Sequence, residues 1–343
     1  MRFARLTLVR HSLGALAGLA ALLLLSVELQ PYRNFQLAQV AYLLCATAGL
    51  TIMTGLSGQI SVGQGAFMAV GAYTTALLTN DLHWGLVPVM LASVLVAMVL
   101  GLVVGVAAAR LRGPYLAALT LALAIGFPAL ANYRGLSGLL QGENGLTVNT
   151  SSPPLALGAD FPPARWQAWV AGAFAIVTLW FLANLSRSRY GRLMRAVRDD
   201  ESASALSGIH VARVRVMVFV VAAACAGLGG GLLAWVSSLA APGAFTLNLS
   251  LGLLAAAVLG GLGSLAGALW GSLILVVIST WTSDLSSTND LSPNVAHNLP
   301  GAIYGTVLIL AMIIFPGGIQ HGLRHGLARI TRFARDHRQR AAD

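Results

Sequence analysis

Along this chain, apolar residues come in runs long enough to cross a bilayer, and short stretches rich in arginine interrupt them. At about 20 apolar residues per crossing, the pattern predicts spans near residues 13–29, 36–54, 60–80, 86–108 and 115–131. A second set is predicted near 167–185, 213–239, 249–262, 264–281 and 300–316. Ten crossings return both termini to one side. Arg2, Arg5, Arg10, Arg110, Arg112, the arginines of 186–215 and the tail from Arg324 to Arg340 then share it. Only Arg33, Arg134 and Arg165 fall opposite. Arginine excess marks cytoplasmic loops, so both termini are expected in the cytoplasm. The opening MRFARLTLVRH and the apolar run after it have the parts of a signal peptide, but no convincing cleavage site follows, and a retained first helix is expected.

The spans define one transmembrane domain over 1–320, with an expected cytoplasmic loop at 186–215 and an expected external loop at 132–166. Gly142, Gly145, Pro153-Pro154 and Pro162-Pro163 make the external loop too long and too rich in Gly and Pro for a tight turn, so an ordered but irregular surface is expected. A second external segment runs from Thr282 to Leu299. In the basic tail, 321–343, Leu323, Leu327 and Ile330 recur at helical spacing among arginines. That pattern suits an amphipathic helix on the inner membrane surface, and equally a simple positive anchor.

Composition agrees. The chain is 57% hydrophobic and 9% charged, with a mean hydropathy of +0.77, against about 25% charged in a soluble domain. The net charge of +10 would suggest nucleic acid in a soluble protein, but here the arginines flank apolar spans and the membrane accounts for them. All 21 basic residues are arginine. Without lysine this chain has no Walker A phosphate loop, no Schiff base and no lysine-assisted nucleophile. Cys45 and Cys225 each sit inside an apolar run as packing residues and imply neither metal nor disulfide framework.

The loop SRSRYGRLMRAVRDDESASALSGIHVARVR, from Ser186 to Arg215, concentrates seven arginines and three carboxylates. Asp199, Asp200 and Glu201 precede Ser202–Ser207, and Gly208 follows, which are start and stop signals for a helix of about two turns. Ala203, Leu206 and Ile209 are placed to form a small apolar face. Two readings stand on these residues: a capped helix that docks on a partner, or a plain loop whose arginines set orientation.

Two stretches inside the spans are unusual. In GLSGQISVGQGAFMAVGAY, residues Ser57, Ser61, Gly65 and Ala69 recur every four positions, as do Gly263, Gly267 and Gly271 later. Small residues at that spacing predict helix stripes against which another backbone packs closely. Gln59 and Gln64 fit less well, because a buried amide needs partners or a wet cavity. With Ser61 they are candidates for a substrate path, since transporters break helices at glycine-rich segments. Helix packing is the plainer reading, and residues 55–65 read either as a cytoplasmic turn or as a break within the membrane.

Between Val216 and Ser283 there is no Asp, Glu, Arg or His. Proton- or sodium-driven transporters usually carry such a group at membrane depth, so ion coupling is not evident. Nor is catalysis, because His83 and His297 are isolated and no carboxylate cluster lies in a span. An active transporter of this kind draws its energy from another subunit. A secondary transporter or facilitator that needs no ATPase is the alternative.

Several stretches together resemble one family. GLSGQISVGQGAFMAVGAYTTALL, RGPYLAALTLALA from Arg112, GENGL from Gly142, YGRLMRAVRDDESASALSGI from Tyr190, AAVLGGLGSLAGALWGS from Ala256 and FPGGIQHGL near the end are similar to the LivM-type permeases of bacterial branched-chain amino-acid ABC importers. The likeness covers most of Leu37 to Leu323 in the family's order. It implies an all-α polytopic membrane protein of about ten transmembrane helices, with a type II-like ABC importer permease fold, in the bacterial inner membrane. It also implies a non-enzymatic transport subunit without its own cofactor. Its partners would be a second, LivH-like permease, two ABC ATPase subunits that use ATP and Mg, a periplasmic or lipid-anchored binding protein and membrane lipid, with no nucleic acid. The cargo implied is branched-chain amino acids, with urea, short amides or aromatic acids as alternatives. The resemblance places an ATPase-coupling helix in Arg195–Gly208, with Arg195, Asp199, Asp200, Glu201, Ala203, Leu206, Gly208 and Ile209 as its residues. Ser204 to Ser207 depart from the family's usual Ala-Glu-Ala-Leu, and the segment at Gly142 lacks its Thr-Gly-Gly start.

Overall fold

Helix α10 (Val211–Ser237) is apolar on nearly every side beyond Arg215, and such a helix is buried from all directions. In the computed structural model it forms the centre of the bundle, enclosed by α2 (Pro31–Ser57), α3 (Gln64–Asp81) and α4 (Leu86–Ala108). The structure describes residues 2–111, 114–150, 152–154, 157–158 and 160–288, with isolated positions between 302 and 322.

Glycine allows this closeness. A Cβ on Gly71 would strike the backbone of Gly227, and one on Gly230 would strike the carbonyl of Met68, so α3 and α10 touch along their main chains. Gly229 lies against α2 in the same way, where a Cβ would stand 2.6 Å from the carbonyl oxygen of Tyr42. Lipid is as apolar as leucine, so dispersion at such close approaches holds membrane helices together.

A second layer surrounds this centre. Helix α7 (Pro163–Arg187) packs on α2, and α1 (Arg2–Glu28) packs on α7. Polar pairs fix the α1 register: Trp169 Nε1 donates to Ser26 Oγ at 2.6 Å, Trp180 Nε1 to Ser12 Oγ at 3.2 Å, and His11 Nδ1 meets Asn184 Oδ1 at 2.8 Å. On the other flank α11 (Leu247–Gly260) and α12 (Leu265–Thr288) form an antiparallel pair against α2. Helix α5 (Pro114–Ala131) packs on α3. Prolines at the first helical positions of α2 and α7 start those helices where a missing N–H costs nothing.

At one end of the bundle, short helix α6 (Ser137–Leu140) leads to strand β1 (Leu146–Thr147), which pairs antiparallel with β2 (Leu239–Ala240), Leu146 opposite Ala240. Asn80 Nδ2 donates to Thr147 O at 2.5 Å, tying the end of α3 to the same patch. The ladder and this hydrogen bond tie residues 146–147 to the ends of α3 and α10, and α7 follows Pro162. The opposite, loop end carries α8 (Arg189–Asp199) and α9 (Glu201–Leu206).

Six described helices, α1, α2, α4, α7, α10 and α12, are long and apolar enough to cross a membrane. Helices α3, α5 and α11 lie where crossings are expected at 60–80, 115–131 and 249–262, α5 and α11 as shorter apolar helices and α3 starting only at Gln64. Helix α12 runs to Thr288, so the segment expected from Thr282 begins later. The expected span at 300–316 and the tail at 321–343 lie outside the described residues apart from isolated positions.

Candidate functional site

The stripe expected from Ser57 through Ser61 and Gly65 to Ala69 is not one helix. Helix α2 stops at Ser57 because Gly58 takes the left-handed conformation, φ 70°, where its N–H donates to Thr54 O at 3.1 Å and the Gln59 N–H donates to Met53 O at 3.3 Å. Residues 58–63 are non-helical, and α3 starts only at Gln64. The Gln64 amide reports the depth of this start. Its Nε2 donates to the carbonyl oxygens of Ala222 at 3.0 Å and Ala46 at 3.3 Å. Each acceptor lies 11 residues from the loop end of a 27-residue helix, about 16 Å inward at 1.5 Å per residue. Within 55–65, residues 58–63 are thus a break within the bundle.

The broken backbone finds its partners in side chains. Thr120 Oγ1 accepts from the Val62 N–H at 3.0 Å, Ser61 Oγ from Gly63 at 3.3 Å, and Ser250 Oγ from Gly65 at 3.0 Å. Gln59 Nε2 donates to Ser57 Oγ at 2.6 Å. Ser57, Gln59, Ser61 and Gln64 are all buried, and Gln64 Oε1 has no hydrogen-bond partner among the described residues. A buried acceptor left unpaired costs about 1–3 kcal/mol. Packing alone would select against it.

The second expected stripe divides in the same way. Gly267 and Gly271 lie on α12 and press on Gly260 and Ala256 of α11, as small-residue packing requires. Gly263 instead sits in the turn between these helices, φ 80°, and closes on Gly55. The turn and the end of α2 meet directly above the loop.

Helix α9 has the boundaries that its caps dictate. Asp200 Oδ1 accepts from the Ala203 N–H at 2.9 Å at the start. At the other end Gly208 turns left-handed, φ 82°, while Ile209 N–H donates to Ser204 O and Gly208 N–H to Ala205 O, both at 3.0 Å. The expected face is only partly formed. Leu206 is 91% exposed and Ala203 is exposed, but Ile209 packs toward the core and Ser204 is the buried residue of the helix. The reason is length: after the left-handed turn the chain heads back to the bundle and carries Ile209 with it.

The remaining predicted residues anchor this helix. Glu201 forms an ion pair with Arg215 on α10. Asp199 pairs with Arg198 at 2.9 Å, and Arg198 Nη1 donates to Gly55 O at 2.6 Å. Arg195 Nη2 donates to Ser186 O at 2.9 Å. Between the break, the first turn of α5 and the α8–α9 corner lies a cavity of about 650 Å³ lined by Ser57, Gln59, Ala117, Arg198, Glu201 and Arg215 among others. Gln59 borders it, whereas Ser61 and Gln64 lie sealed beyond.

Sequence reading missed helix α8 and the Gly227–Gly231 contacts. In α8, Gly191, Met194 and Val197 recur every three residues and bury against the bundle. That signal was present among the arginines. The run of glycines GLGGG at 227–231 was likewise legible as the most closely packed part of its span.

The family described as branched-chain amino acid transport system / permease component matches residues 32–315. The LivM permease protein of the high-affinity branched-chain amino acid transport system of Escherichia coli K12 is 30% identical over 82% of this chain and 69% of its own length. The LivH permease protein of Salmonella typhimurium is 28% identical, over 79% of this chain and 88% of its own. The L-arabinose ABC transporter permease protein AraH of Azospirillum brasilense is 26% identical, over 82% and 79%. No solved structure matches the chain. A multi-pass helical bundle with a broken helix and a match over most of its length places this chain in the family of branched-chain amino acid transport system permease components.

Proposed function

We propose that this protein is the permease subunit of an ATP-driven ABC importer that moves branched-chain amino acids, or a related small polar solute, into the cytoplasm by alternating access. It works beside a second, LivH-like permease, two ATPase subunits that use ATP and Mg, and a binding protein that delivers cargo from outside. The loop end is cytoplasmic, so both termini, α8 and α9 face the ATPases from the inner membrane. Residues 1–320 are the permease body, and 321–343 a basic cytoplasmic tail.

One observation carries this reading. Helix α9 is capped at both ends, is held to α10 by Glu201 and Arg215, and leaves Leu206 almost wholly exposed. A rigid, anchored helix with an unpartnered leucine is suited to seat in a cleft of another subunit and to transmit its movement. The cavity beneath the break supports a path in which Gln59 meets cargo leaving toward the cytoplasm, with Ser61 and Gln64 above it. The cargo follows from the LivM and LivH relatives, whose names carry branched-chain amino acid transport.

Co-purification from native membranes tests this. The wild-type chain should bring down a second permease and ATPases. A variant lacking Asp199–Gly208 should lose the ATPases alone. A folded wild-type chain that retains no ATPase would favour a facilitator instead.

A further inference from the structure

Helices α4 and α10 touch through glycine along much of their length and part near the loop end. A Cβ on Gly101 would strike Ala223, and one on Gly105 would lie 3.1 Å from Phe219 Cβ. Closer to the loop, Ala109 and Ala212 are too small to fill the gap. An apolar cleft of about 480 Å³ opens there, lined by Val106, Val216 and Met217, with Arg110 and Arg213 exposed beside it. Neither arginine meets a carboxylate among the described residues; Glu201, on the adjoining cleft, is engaged by Arg215.

We propose that this cleft binds an anionic phospholipid, with an acyl chain along Val106, Val216 and Met217 and the phosphate between Arg110 and Arg213. The chemistry favours this occupant in two respects. Guanidinium groups bind phosphate oxygens through paired N–H donors, and basic residues near the surface of the cytoplasmic leaflet attract its anionic lipids. An acidic protein surface would satisfy the arginines but not the apolar cleft, which extends more than a turn up two membrane helices. The adjoining cleft shares Ala109, Arg110 and Ala212 and reaches Ser202 and Ala205 of α9. The headgroup therefore lies beside α9 and braces it. The site itself rests on α4 and α10 spanning the membrane with the loop end cytoplasmic, as proposed above; the bracing rests on the proposed coupling role.

Photolabelling of the full chain tests the site. The chain is placed in phosphatidylcholine nanodiscs doped with phosphatidylglycerol that carries a diazirine in its acyl chain. Adducts are expected on the peptides holding Val106 and Val216–Met217, competed by unlabelled phosphatidylglycerol and not by phosphatidylcholine. An R110Q/R213Q double variant should lower labelling about twenty-five-fold, at about fivefold per arginine near an anionic surface. Ala212→Leu, which fills the cleft and keeps both arginines, should lose it too. Labelling indifferent to headgroup would mean general boundary lipid only and would overturn the proposal. So would adducts confined to other helices, or their disappearance when the chain is labelled in complex with ATPases, which would assign the cleft to a protein partner.

Discussion

Arg198 joins the loop to the broken helix: its Nη1 donates to Gly55 O at 2.6 Å, and its Cγ stands 2.9 Å from where a Gly58 Cβ would be. The last residue of α8 before the α9 corner that still faces the bundle is thus clamped on the end of α2, where the helix breaks. In the proposed coupling, a movement of α9 passes through the one extended residue Asp200 to Arg198 and so to Gly55 and Gly58. Arg198→Met keeps the aliphatic stem and removes the guanidinium, whose hydrogen bonds are worth about 1.5–3 kcal/mol. It should insert and bind ATPases normally, yet take up cargo at least about tenfold more slowly in proteoliposomes. Normal uptake would show that the clamp transmits nothing.

Gly208 tests the cap of α9 without any steric complication, because nothing lies within 4 Å of its Cβ position while φ is 82°. Substitutions there act only through the backbone. Left-handed conformation costs an ordinary residue about 1–2 kcal/mol, asparagine less and a β-branched residue more. Transport-coupled ATP hydrolysis should therefore fall in the order Gly208, Asn, Ala, Val. Equal coupling in the Asn and Val variants would remove the cap from the mechanism.

These two sites differ in how far the sequence exposed them. The end of α9 was legible because Asp200 and Gly208 are local signals, each acting within three or four residues. Six of the crossings were legible too, since lipid imposes a minimum apolar length. The break at Gly58 was not resolved, because Ser57, Ser61, Gly65 and Ala69 keep a four-residue spacing whether or not the helix between them is continuous. What settles it is Gln64 reaching Ala46 and Ala222, contacts 18 and 158 residues away that no local pattern contains. Helix α8 was hidden because its arginines outnumber the residues that bury it.

Gly71 and Gly126 separate packing glycines from incidental ones. A Cβ on Gly71 collides with the backbone of Gly227, whereas Gly126 has nothing within 4 Å. Gly71→Leu should push α3 from α10 and destabilise the detergent-solubilised chain by at least the ~1–3 kcal/mol typical of overpacking. Gly126→Leu should leave thermal unfolding unchanged or raise it, since leucine is the better helix former. Equal unfolding temperatures for the two variants would contradict the main-chain contact at the bundle centre.

Gln64 decides whether the break is part of the path. Its Nε2 spans two carbonyls that belong to continuous helices, so Gln64→Leu removes supplementary hydrogen bonds whose net worth is about 1 kcal/mol. It also removes Oε1, the buried acceptor that nothing among the described residues satisfies. If that oxygen serves only packing, the leucine variant, which leaves no unpaired acceptor, should be at least as stable as wild type and transport identically. If it awaits a donor on passing cargo, such as an ammonium group, the variant should dock its ATPases and hydrolyse ATP as before while uptake slows and the apparent affinity for cargo weakens. Uptake kinetics and ATPase rates measured on one proteoliposome preparation distinguish the two. The path reading expects the second result, because a membrane-buried amide that only filled space would gain stability by losing its polar atoms.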